Sequence, residues 1–274
     1  MASIFVLLQR LLPKQMISRI TGLIANSNNR LVKSFLINTF KRVYAVSLDE
    51  ASIQNPHHFK SFNAFFTRSL LPSARPICSE KHAIVAPADG TVSQAGKISQ
   101  GLLFQAKGHY YSLSALLGKD ASMFEGGCFL TTYLAPNNYH RVHAPLPCNL
   151  VSTTAIPGQL FSVNGTTESA LPELFVKNER LVCNFKTKCG PIAIIMVGAM
   201  LVGNIEMVWN SPQSPYKNLQ HNVHNDVFNT GDELGRFLLG STVIMCYQKG
   251  SARINQEIVS GSILRMGQKI GVYA

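Results

Sequence analysis

Apolar residues recur at helical spacing from residue 1 to about residue 70, with Pro13 as a break. Phe62, Phe65 and Phe66 stand at the i, i+3 and i+4 positions of one such segment. Residues at this spacing share one face of a helix, so the three rings are predicted to be buried together. The first quarter of the chain is therefore predicted to be helical.

The pattern changes after Pro76. From Ile84 onward, short runs rich in Val, Ile, Thr and Tyr are separated by Gly, Pro and Asn turns, which is typical of antiparallel strands. Residues 210–230 form the most loop-like stretch. We therefore predict an α+β fold with N-terminal helices followed by a mostly antiparallel β body. The corresponding domains are a helical region over 1–70 and a β-rich domain over 71–274.

Charge is concentrated in the predicted helices. The chain has 274 residues, 46% of them hydrophobic, with 25 Lys+Arg against 14 Asp+Glu and a net charge of +11. This composition excludes disordered, collagen-like and coiled-coil classes. Residues 1–48 hold seven basic residues and no acidic one, interleaved with apolar rather than polar residues. That pattern favours a membrane surface over nucleic acid, and a core-packed amphipathic helix with a solvated basic face is the alternative.

No segment of the sequence predicts export or a membrane span. The opening MASIFVLLQR has its positive charge, Arg10, behind the apolar stretch rather than ahead of it, unlike a secretory signal. The longest apolar run, from Ile192 to Val202, is interrupted by Gly198 and is shorter than the roughly 18 to 20 residues that a spanning helix needs. We expect a protein that lies on a membrane without crossing it.

Three residues could form a nucleophilic set: Asp89 in PADG, His143 in YHRVH, and Ser241 after LLG. In such a set the carboxylate orients the imidazole, and the imidazole takes the hydroxyl proton. The chain has no GxSxG motif, which argues against a nucleophile-elbow hydrolase. The carbonyl of Gly240 is instead an unhindered target for the oxygen of Ser241.

His140 and His143 lie three residues apart between Pro136 and Pro145. The two prolines disfavour a long helix, and on a strand residues at this spacing point to opposite faces. A metal ion shared by the two histidines is therefore not expected.

With these residues, the chain resembles the phosphatidylserine decarboxylases, pyruvoyl enzymes that cut themselves at an LGST motif. The resemblance covers most of the chain, although residues 211–229 depart from the family pattern. The matching segments, in order, are FNAFFTRSL with ARPI, VAPADGTVSQAGKI, LFQAKGHYYSLSALLG, FLTTYLAPNNYHRVHAP, PGQLFSVN, LFVKNERLVC, VGAMLVGNIEMVW and GDELGRFLLGST.

The resemblance implies a self-cleaving proenzyme. Ser241 is activated by His143 while Asp89 holds the ring, and the serine oxygen attacks the carbonyl of Gly240. The chain is then cut between Gly240 and Ser241 into fragments 1–240 and 241–274, which stay together as a heterodimer.

The resemblance also implies the cofactor and the substrate. The cofactor is a pyruvoyl group formed from Ser241, with no metal and no pyridoxal phosphate (PLP), and it serves the decarboxylation of phosphatidylserine to phosphatidylethanolamine and CO2. His140 matches a family position tied to the substrate and to decarboxylation. Lys107, Arg68 and Arg141 are candidates for binding the lipid phosphate, although a solvated or structural role is favoured for each.

The implied partners are phosphatidylserine in an anionic membrane and no nucleic acid, with a higher oligomer left open. The implied location is peripheral, on the cytoplasmic face of a bacterial cell membrane. Two other functions are alternatives. A serine hydrolase with Asp89, His143 and Ser241 would keep its chain intact, and a non-catalytic lipid-binding protein would lack one of the three.

Overall fold

A computed structural model describes residues 6–7, 9, 12–200, 205–238 and 241–274. The helices of this part are α1 (Lys14–Ala25), α2 (Arg30–Tyr44), α3 (Phe62–Phe66), α4 (Leu113–Leu117), α5 (Gly165–Ala170) and α6 (Leu174–Lys177), with 3₁₀ turns at Pro56–His58 and Ser122–Phe124.

Side-chain caps set the ends of the N-terminal helices. The Asn29 side chain accepts hydrogen bonds from the first free N–H groups of α2, and Ser61 does the same for α3. α2 ends at Ala45, which takes the left-handed conformation at φ 50°. The two helices pack together because Phe62, Phe65 and Phe66 of α3 are buried in one cluster with residues of α2. The predicted shared face of these rings is confirmed.

The strands follow the helices along the chain. They are β1 (Ala83–Val85), β2 (Gly90–Lys97), β3 (Leu102–Ala106), β4 (His109–Ser112), β5 (Cys128–Tyr133), β6 (Arg141–His143), β7 (Cys148–Ile156), β8 (Arg180–Thr187), β9 (Gly190–Val197), β10 (Ile205–Met207), β11 (Gln220–Val223), β12 (Val227–Phe228), β13 (Glu233–Phe237), β14 (Thr242–Tyr247), β15 (Ala252–Ile254), β16 (Ile263–Leu264) and β17 (Lys269–Tyr273).

One large antiparallel sheet organises the body. Its strand order is β11-β7-β8-β9-β14-β5-β2-β16, and β12 also pairs with β7. Smaller antiparallel sheets have the orders β1-β17-β15 and β10-β13-β6, and β3 pairs with β4. The predicted α+β fold with a mostly antiparallel β body is confirmed. The stretch that appeared most loop-like in the sequence contains β11 and β12, because both add to the edge of the large sheet along β7.

Strand β14 lies at the centre of the large sheet. It pairs with β9 on one side and with β5 on the other over its whole length. Its alternate residues enter two different cores: Val243, Met245 and Tyr247 join one, while Ile244 and Cys246 join the other. The strand that follows Ser241 is therefore buried on both faces and paired on both edges.

Candidate active site

Of the two histidines of YHRVH, His143 is the last residue of the short strand β6 and His140 directly precedes its first residue. β6 pairs with β13, where His143 is opposite Glu233 and the N–H of Phe237 donates to the carbonyl of His140 at 3.0 Å. Both rings are buried, that of His140 completely. β13 ends at Phe237, three residues before Gly240, whereas β14, which follows Ser241, belongs to the large sheet. The histidine strand and the strand after the predicted cleavage site therefore lie in two different sheets.

Both ring nitrogens of His143 have partners. Nδ1 lies 2.8 Å from the carbonyl oxygen of Gly231, and Nε2 lies 3.0 Å from the hydroxyl of Tyr139. A carbonyl can only accept, so Nδ1 carries the proton and Nε2 accepts the hydrogen bond from Tyr139. Burial lowers the pKa of His143. The ring is thus a neutral base, and the lone pair on its Nε2 accepts the hydrogen bond from Tyr139.

Asp89 is bonded to an arginine rather than to His143. Arg75 donates to its carboxylate through Nε at 2.8 Å and Nη2 at 2.5 Å, and the N–H of Met266 donates to Oδ1 at 2.8 Å. In the described part of the chain, no hydrogen bond joins Asp89 to His143. Burial lowers the pKa of His143, and the Gly231 hydrogen bond, the charge of Glu233 and, to a smaller extent, the charge of Asp89 raise it.

Arg75 belongs to a wider ion-pair network. Its Nη1 donates to Glu50 at 2.8 Å, and Glu50 also accepts a hydrogen bond from Arg265. The network joins the segment after α2 to the β body, and Arg265 and Met266 lie on the predicted downstream fragment. A bidentate arginine fixes the plane of a carboxylate, so Arg75 sets the orientation of Asp89.

His140 has one free nitrogen. Its Nδ1 lies 2.9 Å from the carbonyl oxygen of Asn138, and its ring lies against Phe66 with centroids 4.0 Å apart. Nε2 is buried and has no hydrogen-bond partner within the described ranges. Burial lowers the pKa of His140 to about 3, and the positive charge of Arg68 acts in the same direction. The imidazole is therefore neutral, with an unprotonated Nε2 available as an acceptor.

Ser241 is 1% exposed and directly precedes β14. Its carbonyl accepts a hydrogen bond of 2.7 Å from the N–H of Leu134, and its hydroxyl has no partner among the residues that the structure describes. Gly240, the other half of the predicted cleavage site, lies outside the described residues.

Four contacts that the predicted site residues make in the structure were not predicted from the sequence. They are Arg75 on Asp89, Tyr139 and the Gly231 carbonyl on His143, and Phe66 on His140. All four residues lie in segments that match the family pattern, namely FNAFFTRSL, ARPI, FLTTYLAPNNYHRVHAP and GDELGRFLLGST. A matched segment marks its residues but does not show which contacts they make, and a main-chain carbonyl such as that of Gly231 has no side-chain signature.

Two further observations bear on the chemistry. Among the described residues, no group of three or more His, Cys, Asp or Glu side chains could hold a metal ion. No helix in the described ranges is both long and apolar enough to cross a membrane.

Comparison with known protein families agrees with the sequence motifs. A family model described as phosphatidylserine decarboxylase matches residues 62–272, and a second, described as PSD, matches residues 4–45. The chain belongs to the phosphatidylserine decarboxylase family. The resemblance found in the sequence is therefore confirmed, and it covers the helices as well as the β body.

Curated members of the phosphatidylserine decarboxylase family align with nearly the whole chain. The phosphatidylserine decarboxylase proenzyme of Alcanivorax borkumensis is 46% identical over 281 residues, covering 98% of this chain and 96% of that protein. The proenzyme of Azotobacter vinelandii is 46% identical over 278 residues, with 98% and 97% covered. That of Pseudomonas aeruginosa is 44% identical over 275 residues, with 97% and 95% covered. The roles of Asp89, His140, His143 and Ser241 stay predictions.

Proposed function

We propose that this chain cuts itself between Gly240 and Ser241 and then decarboxylates phosphatidylserine to phosphatidylethanolamine and CO2. The observation that carries the proposal is a buried serine with an unpartnered hydroxyl, placed directly after LLG in a chain whose relatives are named proenzymes. The cofactor is a pyruvoyl group made from Ser241.

Self-cleavage uses groups that the chain supplies. The Ser241 hydroxyl gives its proton to His143 as its oxygen attacks the Gly240 carbonyl carbon, and the peptide C–N bond breaks as the amine takes a proton. Loss of the Ser241 Cα proton then expels Gly240 as a carboxylate. The dehydroalanine left on the downstream fragment hydrolyses, releasing ammonia and leaving a ketone next to the first amide.

Asp89 supports this step by its charge. His143 must become an imidazolium when it takes the serine proton, and a nearby carboxylate stabilises that cation in a buried site. Arg75 fixes the Asp89 carboxylate in place through two N–H groups. Direct transfer to His143 also requires Nε2 to exchange the Tyr139 hydroxyl for that of Ser241.

The start of β14 suits a pyruvoyl group. The hydroxyls of Ser241 and of Thr242, the first residue of β14, are buried without partners in the described part of the chain. An unpaired buried hydroxyl is costly, and a carbonyl oxygen would accept a hydrogen bond from that of Thr242. When present, the pyruvoyl carbonyl accepts the electron pair that CO2 leaves behind. His140 Nε2 suits a hydrogen-bond donor, such as the substrate ammonium.

The cut itself tests the proposal. Denaturing intact-mass analysis should give two species, residues 1–240 and residues 241–274, the second beginning with a pyruvoyl group instead of serine. Ser241→Ala should give one uncut species without activity, whereas Ser260→Ala, at an exposed serine on the same fragment, should cut normally. A wild type that stays uncut and shows hydrolase activity would instead support the serine hydrolase alternative.

The two fragments should stay together as a heterodimer under native conditions. β14 is paired on both edges, while β16 and β17 of the same fragment pair with β2 and β1 of the other. Each fully buried aliphatic side chain contributes roughly 1.5–3 kcal/mol, and every residue of β14 is buried. Native gel filtration after cleavage should show one peak containing both fragments, and a peak of residues 1–240 alone would contradict this assembly.

The proposed location is peripheral on a membrane, at the cytoplasmic face of a bacterial cell. Helices α1 and α2 support it, because they expose apolar side chains beside basic ones. Leu23, Leu31 and Phe35 are 75%, 81% and 70% exposed. Such a face suits the interface of an anionic bilayer. We propose residues 1–70 as the membrane-associating region and residues 71–274 as the catalytic domain.

Vesicle co-sedimentation tests the membrane face. Leu23→Ser with Phe35→Ser, or removal of residues 1–25, should weaken binding to anionic vesicles and leave self-cleavage intact. The matched control is Leu219→Ser with Val223→Ser, two exposed apolar positions outside the helices. Wild-type binding should also fall between 0.1 M and 1 M salt, as the Debye length shortens from about 10 Å to about 3 Å. If both double variants bound anionic vesicles equally well, the exposed apolar side chains of α1 and α2 would not be a membrane-binding face, and the helices would serve core packing instead.

A further inference from the structure

A cavity of about 420 Å³ lies beside the candidate active site. One side is formed by residues 45–51, the segment that follows α2, and another by Asn137, Asn138 and Tyr139, which precede His140. Arg68 and Asp89 also line it. The cavity therefore connects the apolar helices with the residues that surround the two histidines.

Arg68 has hydrogen-bond donors to spare in this cavity. It is 6% exposed, and only its Nη2 is bonded, at 3.2 Å to the carbonyl of Asn137 and 3.4 Å to that of Asn138. Its Nε and Nη1 have no partner among the described residues. Arg180 is equally buried but donates through all three nitrogens to four carbonyls, at 2.6 to 3.1 Å. Arg180 is thus satisfied by the protein, and Arg68 is not.

The other charged groups around the cavity are already paired with one another. Arg75 bonds both Asp89 and Glu50, and Glu50 also bonds Arg265. Asp49, which lines the cavity as well, is exposed and bonded to the Ser47 hydroxyl. Arg68 is therefore the buried cation of this cavity that has no carboxylate hydrogen-bonded to it in the described part of the chain.

The other two candidates for binding the lipid phosphate are either already ion-paired or exposed to solvent. Arg141 is paired with Glu233 at 2.7 Å and donates to the Thr67 carbonyl. Lys107 is exposed in the turn between β3 and β4. Arg68 alone of the three combines burial, spare donors and a cavity, and its charge acts on the His140 ring.

We propose that Arg68 binds an oxyanion of the substrate headgroup in this cavity, either the phosphate diester or the serine carboxylate. This inference rests on the proposed function for the identity of the lipid. A guanidinium with two free N–H-bearing nitrogens matches the paired oxygens of either group. The bound anion would supply the hydrogen-bonded charge partner that Arg68 lacks, close to His140, whose Nδ1 shares the carbonyl of Asn138 with Arg68.

Binding to the uncut chain tests this without catalysis. The probe is dihexanoyl phosphatidylserine below its micelle concentration, titrated calorimetrically into the full-length Ser241→Ala protein. Adding Arg68→Gln should weaken binding about 10- to 100-fold, the usual range for a hydrogen-bonded charge. Arg68→Lys should recover part of the loss, since it keeps the charge without the planar fork. Arg253→Gln, at an exposed arginine of β15, is the matched control and should bind like the parent.

Dihexanoyl phosphatidylethanolamine separates the two oxyanions, because it keeps the phosphate and lacks the carboxylate. Equal weakening of both lipids by Arg68→Gln identifies the phosphate, and weakening of phosphatidylserine alone identifies the carboxylate. Unchanged affinity for both lipids overturns the proposal. If Arg68→Gln does not fold, unchanged affinity in Arg68→Lys overturns it equally. If the wild type did not cut itself, the proposed function would be wrong. A binding result that depends on Arg68 would still be valid, because it is measured on the uncut protein.

Discussion

His143→Ala should leave the whole population uncut at 274 residues, without a pyruvoyl group and without decarboxylase activity. The imidazole is the base that takes the Ser241 proton, and in this tautomer its Nε2 is the only ring nitrogen able to accept one. Removing such a base typically costs about 10²- to 10⁴-fold in rate. A denaturing mass time course measures the cut, and His58→Ala, at an exposed histidine, is the control. Normal cleavage in His143→Ala would refute the assignment.

Two companion variants locate the proton path around His143. Tyr139→Phe frees Nε2 from its hydroxyl partner, so it should cut at least as fast as the wild type. Slower cutting would mean that Tyr139 relays the proton. Asp89→Ala should block cleavage nearly as fully as His143→Ala, because it leaves the buried Arg75 cation without this carboxylate where an imidazolium must form.

His140→Ala should give the opposite result: a normally cut chain that decarboxylates phosphatidylserine roughly 100-fold more slowly or worse. Neither histidine is hydrogen-bonded to the Ser241 hydroxyl in the described part of the chain. The difference is that Nε2 of His140 is unpartnered and is left for a substrate donor, whereas Nε2 of His143 is hydrogen-bonded to Tyr139. The measurement is CO2 release per pyruvoyl group, beside a gel for the cut. An uncut His140→Ala would mean that the two histidines share or exchange their roles.

The loss in His140→Ala should not depend on pH between 5.5 and 8. Burial lowers the pKa of His140 to about 3, below this whole range, so the wild-type ring stays neutral throughout. The ratio of wild-type to variant activity should therefore be flat. A ratio that collapses as the pH falls through 6.5 would indicate an exposed histidine that gains its proton there, and a substrate contact made from a solvated site.

Local patterns were enough to predict many of the elements, although not β11 and β12, which lie in the most loop-like stretch of the sequence. The i, i+3, i+4 spacing of Phe62, Phe65 and Phe66 predicted a buried helix face, because residues at this spacing lie on the same side of a helix. The run VIMC after Ser241 determined a strand in the same way, since β-branched and apolar residues bounded by turns favour one. The run does not encode that β14 lies between β9 and β5, because pairing partners are chosen by packing across the whole sheet.

Residue chemistry and motif order, likewise, were enough to nominate Asp89, His143 and Ser241, because few side chains can act as carboxylate, base and nucleophile. Their contacts were decided only by the tertiary structure. In the structure, Asp89 is hydrogen-bonded to Arg75, and His143 is hydrogen-bonded to Tyr139 and to the Gly231 carbonyl. The Ser241 hydroxyl has no partner in the described ranges. A hydrogen bond depends on positions within a few tenths of an ångström, which the packing of distant strands sets and no local pattern records.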